Sequence, residues 1–194
     1  MAKPDYTYLK PILDLAPALD IGYALVRDKG FYKLHVDLSR TGYNSLREVP
    51  KEQLPIPQQF LLNTLAYQPV TDGIFTLQKE NEDRCLFYLS QIIPEQMPDY
   101  KLAKGTIALR YNVEVTLNSC RVILDLKTSG FSSLREVPKE ELPTAERMFI
   151  SFLSGIPLNN GAFFVNQRLL AKLFFFLEKI EHVYQAGTGY KLRI

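Results

Sequence analysis

The chain of 194 residues is poor in cysteine, with only Cys85 and Cys120. The chain contains an internal repeat, described below, but neither cysteine is present in both copies. The positions that match Cys85 and Cys120 in the other copy are Leu173 and Tyr32. The two thiols also lack the spacing of a zinc site or a redox pair. We therefore expect no disulfide framework and two free thiols, buried or half-buried, in a protein of the reducing cytoplasm.

Histidine is equally scarce, since the chain has only His35 and His182. The sequence places no set of Cys, Asp or Glu residues near either histidine with the spacing of a metal site or of an acid–base pair. We expect structural or surface roles for both, and we predict no metal and no cofactor. The chain is thus more typical of a binding protein than of an enzyme.

Long apolar runs and an excess of one charge are also missing. The longest apolar stretch, from Leu169 to Leu177, is interrupted by Lys172 and is too short to cross a bilayer. The formal net charge of +2 gives only a weak electrostatic case for nucleic acid. The first twenty residues do not resemble a signal peptide, because they contain three aspartates and several prolines. We therefore expect a soluble protein with no membrane partner.

What the chain does have is an internal repeat. The eight residues Ser-Leu-Arg-Glu-Val-Pro-Lys-Glu occur at 45–52 and again at 133–140. In the same register, 17 of 41 positions are identical between residues 37–77 and 125–165. Self-similarity at a fixed offset indicates a duplicated structural unit. We therefore predict two copies of one module.

A β-hairpin is predicted at the start of each copy. Alternating apolar and polar residues flank a turn with Gly or Asn, at 21–38 in the first copy and at 109–126 in the second. Asp37 and Asp125 end these hairpins and are predicted to accept hydrogen bonds from the local backbone. The hairpin is thus the first element of the module.

A structured loop and a helix are predicted next. Pro50 and Pro138 lack an amide hydrogen and force the preceding valine toward extended geometry, so the octapeptide is not predicted to be helical. The helix is clearest from Thr144 to Ser154, which carries an apolar stripe, and Thr144 is placed to cap its first turn. The first copy has a similar stripe that ends before Pro69.

A short strand and a second helix complete each copy. The strands are predicted at 74–77 and 162–165, and the helices at 81–93 and, by helical apolar spacing, from Leu169 to Tyr184. Phe174 and Leu177 are predicted to be buried. The fold class is therefore α+β, with two tandem repeats of a small module of β-hairpin, loop, helix, strand and helix. We predict one module at 1–97 and another at 98–194, packed about a pseudo-twofold axis as in a fused homodimer.

The octapeptides supply the candidate binding residues, which are Arg47, Glu48, Lys51, Arg135, Glu136 and Lys139. In one interpretation these residues contact a ligand, because an arginine offers a planar fork for a carboxylate or a phosphate. In the other, the Arg and Glu side chains bond to neighbouring backbone and hold a proline-rich loop in place. The sequence leaves both interpretations open.

Three functions follow from these features. The first is a non-enzymatic binding protein, a monomer or a homodimer, whose two equivalent loops contact a protein partner. The alternative is a nucleic-acid-binding protein that uses Arg40, Arg47, Arg121, Arg135 and exposed tyrosines such as Tyr43. The third is an enzyme with a site between the modules.

Overall fold

The computed structural model describes residues 19–115, 119–180 and 183–185. The described residues form two compact units, one up to Lys101 and the other from Leu102 onward. The division predicted from the sequence, 1–97 and 98–194, stays a prediction because it also covers residues outside these ranges. Among the described helices, none has the length and apolar character needed to cross a membrane.

The first unit combines one sheet with two α-helices. Its elements are β1 (Gly22–Asp28), β2 (Phe31–Asp37), a 3-10 turn (Lys51–Gln53), α1 (Ile56–Leu65), β3 (Val70–Thr71), β4 (Ile74–Thr76), α2 (Lys79–Ile92) and a second 3-10 turn (Pro94–Gln96). The strands form a sheet in the order β1-β2-β4-β3, and every neighbouring pair is antiparallel.

The β1–β2 hairpin follows from its turn and from its alternating side chains. Lys29 and Gly30 both have positive φ, 48° and 85°, which gives the tight two-residue turn that matches strand twist. The register pairs Tyr23 with Val36, and both side chains are buried on the same face. Strand alternation thus leaves one face of the sheet covered by the rest of the unit.

The two helices of the first unit contact each other and complete its core. Phe60 on α1 stacks on Tyr88 of α2, with ring centroids 5.2 Å apart. Leu61 and Leu65 on α1 and Phe87 on α2 are fully buried. The free thiol of Cys85 also lies in this core, and burial raises its pKa to about 12.

The second unit repeats this order 88 residues later and adds one strand. Its elements are β5 (Arg110–Val115), β6 (Ser119–Asp125), a 3-10 turn (Lys139–Glu141), α3 (Thr144–Leu153), β7 (Leu158–Asn159), β8 (Ala162–Asn166), a 3-10 turn (Gln167–Leu169), α4 (Leu170–Leu177) and β9 (Val183–Gln185). The sheet order is β7-β8-β6-β5-β9, and β9 pairs with β5 in parallel. Phe174 and Leu177 are buried, as predicted.

The predicted α+β class and the two-module organisation agree with this structure. Packing of the modules about a pseudo-twofold axis stays a prediction. The strands predicted at 74–77 and 162–165 are present as β4 and β8, but each pairs with a short preceding strand, β3 or β7, that was not predicted, so each module has a second hairpin there. Asp72 with Gly73 and Asn160 with Gly161 have positive φ values between 49° and 76° and form its turns. Asp and Asn tolerate this conformation better than most residues, which favours the turn.

Two predictions for the second module were wrong. The last helix does not reach Tyr184, which lies in β9; α4 ends at Leu177. Apolar spacing alone could not separate a buried helix from a helix followed by a buried strand. Thr144 does not cap α3, because it is the first helical residue and its Oγ1 accepts a hydrogen bond from the Ala103 amide at 3.2 Å.

Candidate functional site

The octapeptide loops are held in the same way in both units. The Glu48 carboxylate accepts a hydrogen bond from the amide of Asn44 at 3.0 Å. The Glu136 carboxylate accepts one from the amide of Ser132 at 2.9 Å. Both bonds reach four residues back along the chain and close the loop. The glutamates therefore match the interpretation in which octapeptide side chains bond to neighbouring backbone.

The two aspartates before these loops also bond to the local backbone, as predicted. Asp37 accepts a hydrogen bond from the amide of Ser39 at 2.9 Å, and Asp125 accepts one from the amide of Thr128 at 3.2 Å. For Asp37, the backbone and side-chain hydrogen bonds of Ser39 hold the carboxyl pKa below its usual value. For Asp125, the hydroxyl and the amide of Thr128 have the same effect on the pKa.

The arginines of the octapeptides differ from the glutamates. Arg47 and Arg135 are exposed in the two units. Within the described ranges, neither side chain has a hydrogen-bond or ion-pair partner. Loop closure therefore does not explain why an arginine is present at this position in both copies.

A pocket lies beneath the octapeptide of the first unit, and we name it the octapeptide pocket. Its volume is about 510 Å³. The apolar part of its lining includes Val36 and Phe75 from the sheet and Leu62 and Leu65 from α1. A volume of this size is in the range of known ligand sites. The pocket is thus large enough for one bulky apolar side chain together with a polar group.

The polar lining of the octapeptide pocket carries positive charge. Arg47 and Lys51 both line it. Lys51 is half-buried, and its Nζ donates to Asn63 Oδ1 at 3.2 Å. An ammonium has three donors, so this single bond leaves donors for a ligand. Glu48 is not among the lining residues, and the pocket therefore favours an anionic group.

Gln68 supplies a third polar group to the same pocket. Its side chain is 6% exposed, and Oε1 accepts a hydrogen bond from the amide of Gln78 at 2.8 Å. Nε2 is buried and has no hydrogen-bond partner within the described part of the chain. A buried amide donor without a partner costs free energy, so an acceptor supplied by a ligand would be stabilising.

No protein family, curated protein or solved structure matches the chain.

The second unit has a different pocket, of about 410 Å³, beside the first turn of α3. The buried Glu146 lines it, and its carboxylate accepts hydrogen bonds from Tyr111 Oη at 3.2 Å and from the Leu109 amide at 3.4 Å. Burial, together with the nearby Glu146 charge, raises the pKa of Tyr111 above its usual value. Lys179 also lines this pocket, and burial lowers its pKa. The contacts of Glu146 attach β5 to α3, so we assign it a structural role.

The other residues proposed for a nucleic-acid surface are engaged within the chain. Arg40 pairs with Asp20 at 3.0 Å. Arg121 pairs with Glu114 at 2.7 Å and lies over the ring of Phe164. Tyr43 is half-buried. These contacts leave Arg47 and Arg135 as the unpaired arginines of that set within the described ranges.

The predicted binding residues are thus placed in two groups. Arg47 and Lys51 share the octapeptide pocket, whereas Glu48 contributes to loop closure. In the second unit, Arg135 and Lys139 are exposed, and Glu136 closes the loop. Gln68 was not predicted from the sequence. A comparison of the copies could have drawn attention to it, because the matching residue is the apolar Ile156.

Proposed function

We propose that the protein is a non-enzymatic binding protein and that the octapeptide pocket is its binding site. The ligand is a segment of a partner protein in which an acidic residue lies next to a large apolar residue. The observation that supports this most directly is the combination of an apolar interior with Arg47 and Lys51 in one pocket of about 510 Å³.

The apolar interior of the pocket and its positively charged side chains have separate roles in binding. Burial of an apolar side chain contributes about 25 cal/mol for each Å² removed from water, which supplies most of the affinity. The exposed guanidinium of Arg47 contributes little affinity by itself, because exposed ion pairs are worth about 0–1 kcal/mol. It instead selects acidic partners and raises the rate of encounter.

A protein segment is favoured over a free small molecule by the surface next to the pocket. Val70 lines the pocket, is 54% exposed and belongs to β3, one of the two edge strands of its sheet. Tyr67, three residues earlier in the chain, is 83% exposed. Edge strands offer backbone hydrogen bonds to an extended peptide, and nearby pockets then select its side chains.

A random peptide library displayed against the immobilised full-length chain tests this proposal. We expect the enriched peptides to share an acidic residue next to Leu, Ile, Phe or Met. This enrichment should disappear on the Arg47→Ala, Lys51→Ala double variant. The matched control is Arg135→Ala with Lys139→Ala, which changes the same two positions of the other octapeptide.

The outcomes separate the hypotheses. Enrichment that ignores acidic residues, or that persists on the Arg47 and Lys51 variant, would contradict the proposal. Loss on both double variants would contradict the assignment of binding to the octapeptide pocket alone, because it would show that the two octapeptides act together. Tight binding of single-stranded RNA that weakens with added salt would favour the nucleic-acid alternative instead.

The duplication also supports a proposal about assembly and location. We infer that the two modules pack about a pseudo-twofold axis, because closed twofold symmetry is the commonest arrangement of identical subunits and a fused pair would retain it. The thiols of Cys85 and Cys120 are free and buried, which supports a reducing compartment such as the cytoplasm.

A further inference from the structure

We propose that Gln68 makes the two units unequal, so that the chain binds one acidic segment, in the first unit, rather than two. In this proposal the buried amide of Gln68 donates a hydrogen bond to the ligand carboxylate, which Arg47 and Lys51 also attract. The inference rests on the proposed function, because it names the donor that selects the ligand within the same pocket.

The orientation of the Gln68 amide is set by the backbone. Oε1 accepts from the amide of Gln78, and an inverted side chain would place two donors against each other there. Nε2 is therefore the atom without a partner, and it lies on a side chain that lines the pocket and is 6% exposed. Buried polar groups in folded proteins are normally paired. A ligand acceptor at Nε2 restores that pairing.

The second unit lacks this donor. Its octapeptide has the same charges, Arg135 and Lys139, but the residue at the Gln68 position is Ile156, whose side chain is 7% exposed. An isoleucine side chain has no hydrogen-bond donor. A carboxylate at the corresponding place would therefore have one buried donor fewer to replace its hydrogen bonds to water, which disfavours binding relative to the first unit.

Nuclear magnetic resonance of the uniformly ¹⁵N-labelled full chain tests the donor directly. The probe is a capped Leu-Glu-Leu peptide, and the matched control is the neutral Leu-Gln-Leu peptide. Backbone amides of Ser45 and Arg47 report on the first octapeptide, and those of Ser133 and Arg135 report on the second. The side-chain amide signals of Gln68 are identified by their absence in Gln68→Met.

With the acidic peptide, we expect the Gln68 side-chain amide to shift together with Ser45 and Arg47, with one shared Kd. Ser133 and Arg135 should not shift. Shifts at Ser45 and Arg47 with an unmoved Gln68 amide would overturn this inference and leave the proposed function standing. Equal shifts at both octapeptides would overturn the claim of a single site. No shift at either octapeptide would overturn both proposals.

Two substitutions of Gln68 distinguish the role of the Nε2 donor from the role of the hydrogen bond that Oε1 accepts from the Gln78 amide. Gln68→Glu keeps an acceptor for the Gln78 amide, whereas Gln68→Met removes acceptor and donor alike. Both should weaken binding of the acidic peptide by about tenfold or more, because a hydrogen bond to a charged group is lost. Thermal melting shows whether either variant has lost its fold. Unchanged binding by a folded variant of either kind would overturn the inference.

The reverse substitution provides a gain-of-function test. Ile156→Gln gives the second unit the same three donor positions as the first. We expect Ser133 and Arg135 then to shift with the acidic peptide, while the wild-type chain shows no such response. A folded Ile156→Gln chain without this second response would show that the Gln side chain alone does not decide between the units, and the inference would be wrong.

Discussion

At the scale of single residues, some positions of the octapeptides stabilise the loop conformation and others do not. Val49 and Val137 are buried, and Glu48 and Glu136 close their loops through backbone amides. These identities between copies follow from the loop conformation. The two exposed arginines are identical in both copies, yet no hydrogen bond or ion pair within the described ranges explains them.

This difference predicts that the glutamates contribute to stability and that the arginines contribute little. Glu48→Ala removes the acceptor of the Asn44 amide and should lower the free energy of unfolding by about 0.5–1.5 kcal/mol. Arg47→Ala should change it by less than about 0.5 kcal/mol, as expected for an exposed side chain without partners. Urea unfolding of both variants measures these changes in the free energy of unfolding.

The second octapeptide supplies the control, since Glu136→Ala and Arg135→Ala should give the same contrast. If the arginine variants lose as much stability as the glutamate variants, the arginines serve the fold. The proposed role of Arg47 in ligand binding would then be unsupported.

The candidate site was predictable in part at this scale. Repetition drew attention to Arg47 and Lys51 because they are identical in the two copies, and both line the octapeptide pocket. The same reasoning passed over Gln68, because repetition highlights shared residues and Gln68 is a position where the copies differ. Whether a buried amide has a partner depends on three-dimensional packing, which periodicity does not report.

At the scale of elements, the sequence predicted the helices and strands that depend on local residue patterns. The hairpin of β1 and β2 and the helix α3 follow from turn residues and from an apolar stripe. The short strands β3 and β7 were missed because two-residue strands carry no periodic pattern. Strand β9 was missed because its pairing with β5 depends on residues about 70 positions apart, which no local pattern encodes.

The contact between the segment before β5 and the first turn of α3 gives a prediction for a glycine. Gly105 has φ +68°, and a Cβ there would clash with the backbone nitrogen of Pro143. Gly42 has a similar φ of +80°, but a Cβ there would meet nothing within 4 Å. Gly42→Ala should therefore cost only the backbone strain, about 1–2 kcal/mol.

Gly105→Ala should cost clearly more than Gly42→Ala, since backbone atoms must move to remove the clash. The expected result in urea unfolding is an additional loss of about 1–3 kcal/mol, as for other overpacked positions. Equal losses in the two variants would show that the segment at Gly105 moves away from Pro143 at little cost. The two hydrogen bonds from Thr106 and Ile107 to the Glu141 carbonyl would then not define its position.

At the scale of the whole molecule, duplication explains the shared framework but not the differences between the units. Tyr23 of the first unit corresponds to Tyr111 of the second, but the first unit has Gln58 where the second has Glu146. In the second unit, Glu146 accepts the hydrogen bond of Tyr111. In the first unit, neither the Tyr23 hydroxyl nor Gln58 Oε1 has a partner within the described residues. The copies thus keep one backbone plan with different polar contacts.

The predicted pseudo-twofold axis belongs to this scale. Two copies of one module that descend from a homodimer should retain its closed symmetry, because the same surface of each copy then meets the other and open, chain-forming contacts are avoided. In an experimentally determined structure, superposing residues 37–77 on residues 125–165 should require a rotation of about 180° with little translation along the axis. A rotation far from this value, or a large translation along the axis, would contradict the prediction. Such a result would indicate a tandem array in which each copy uses a different surface, as in repeat proteins.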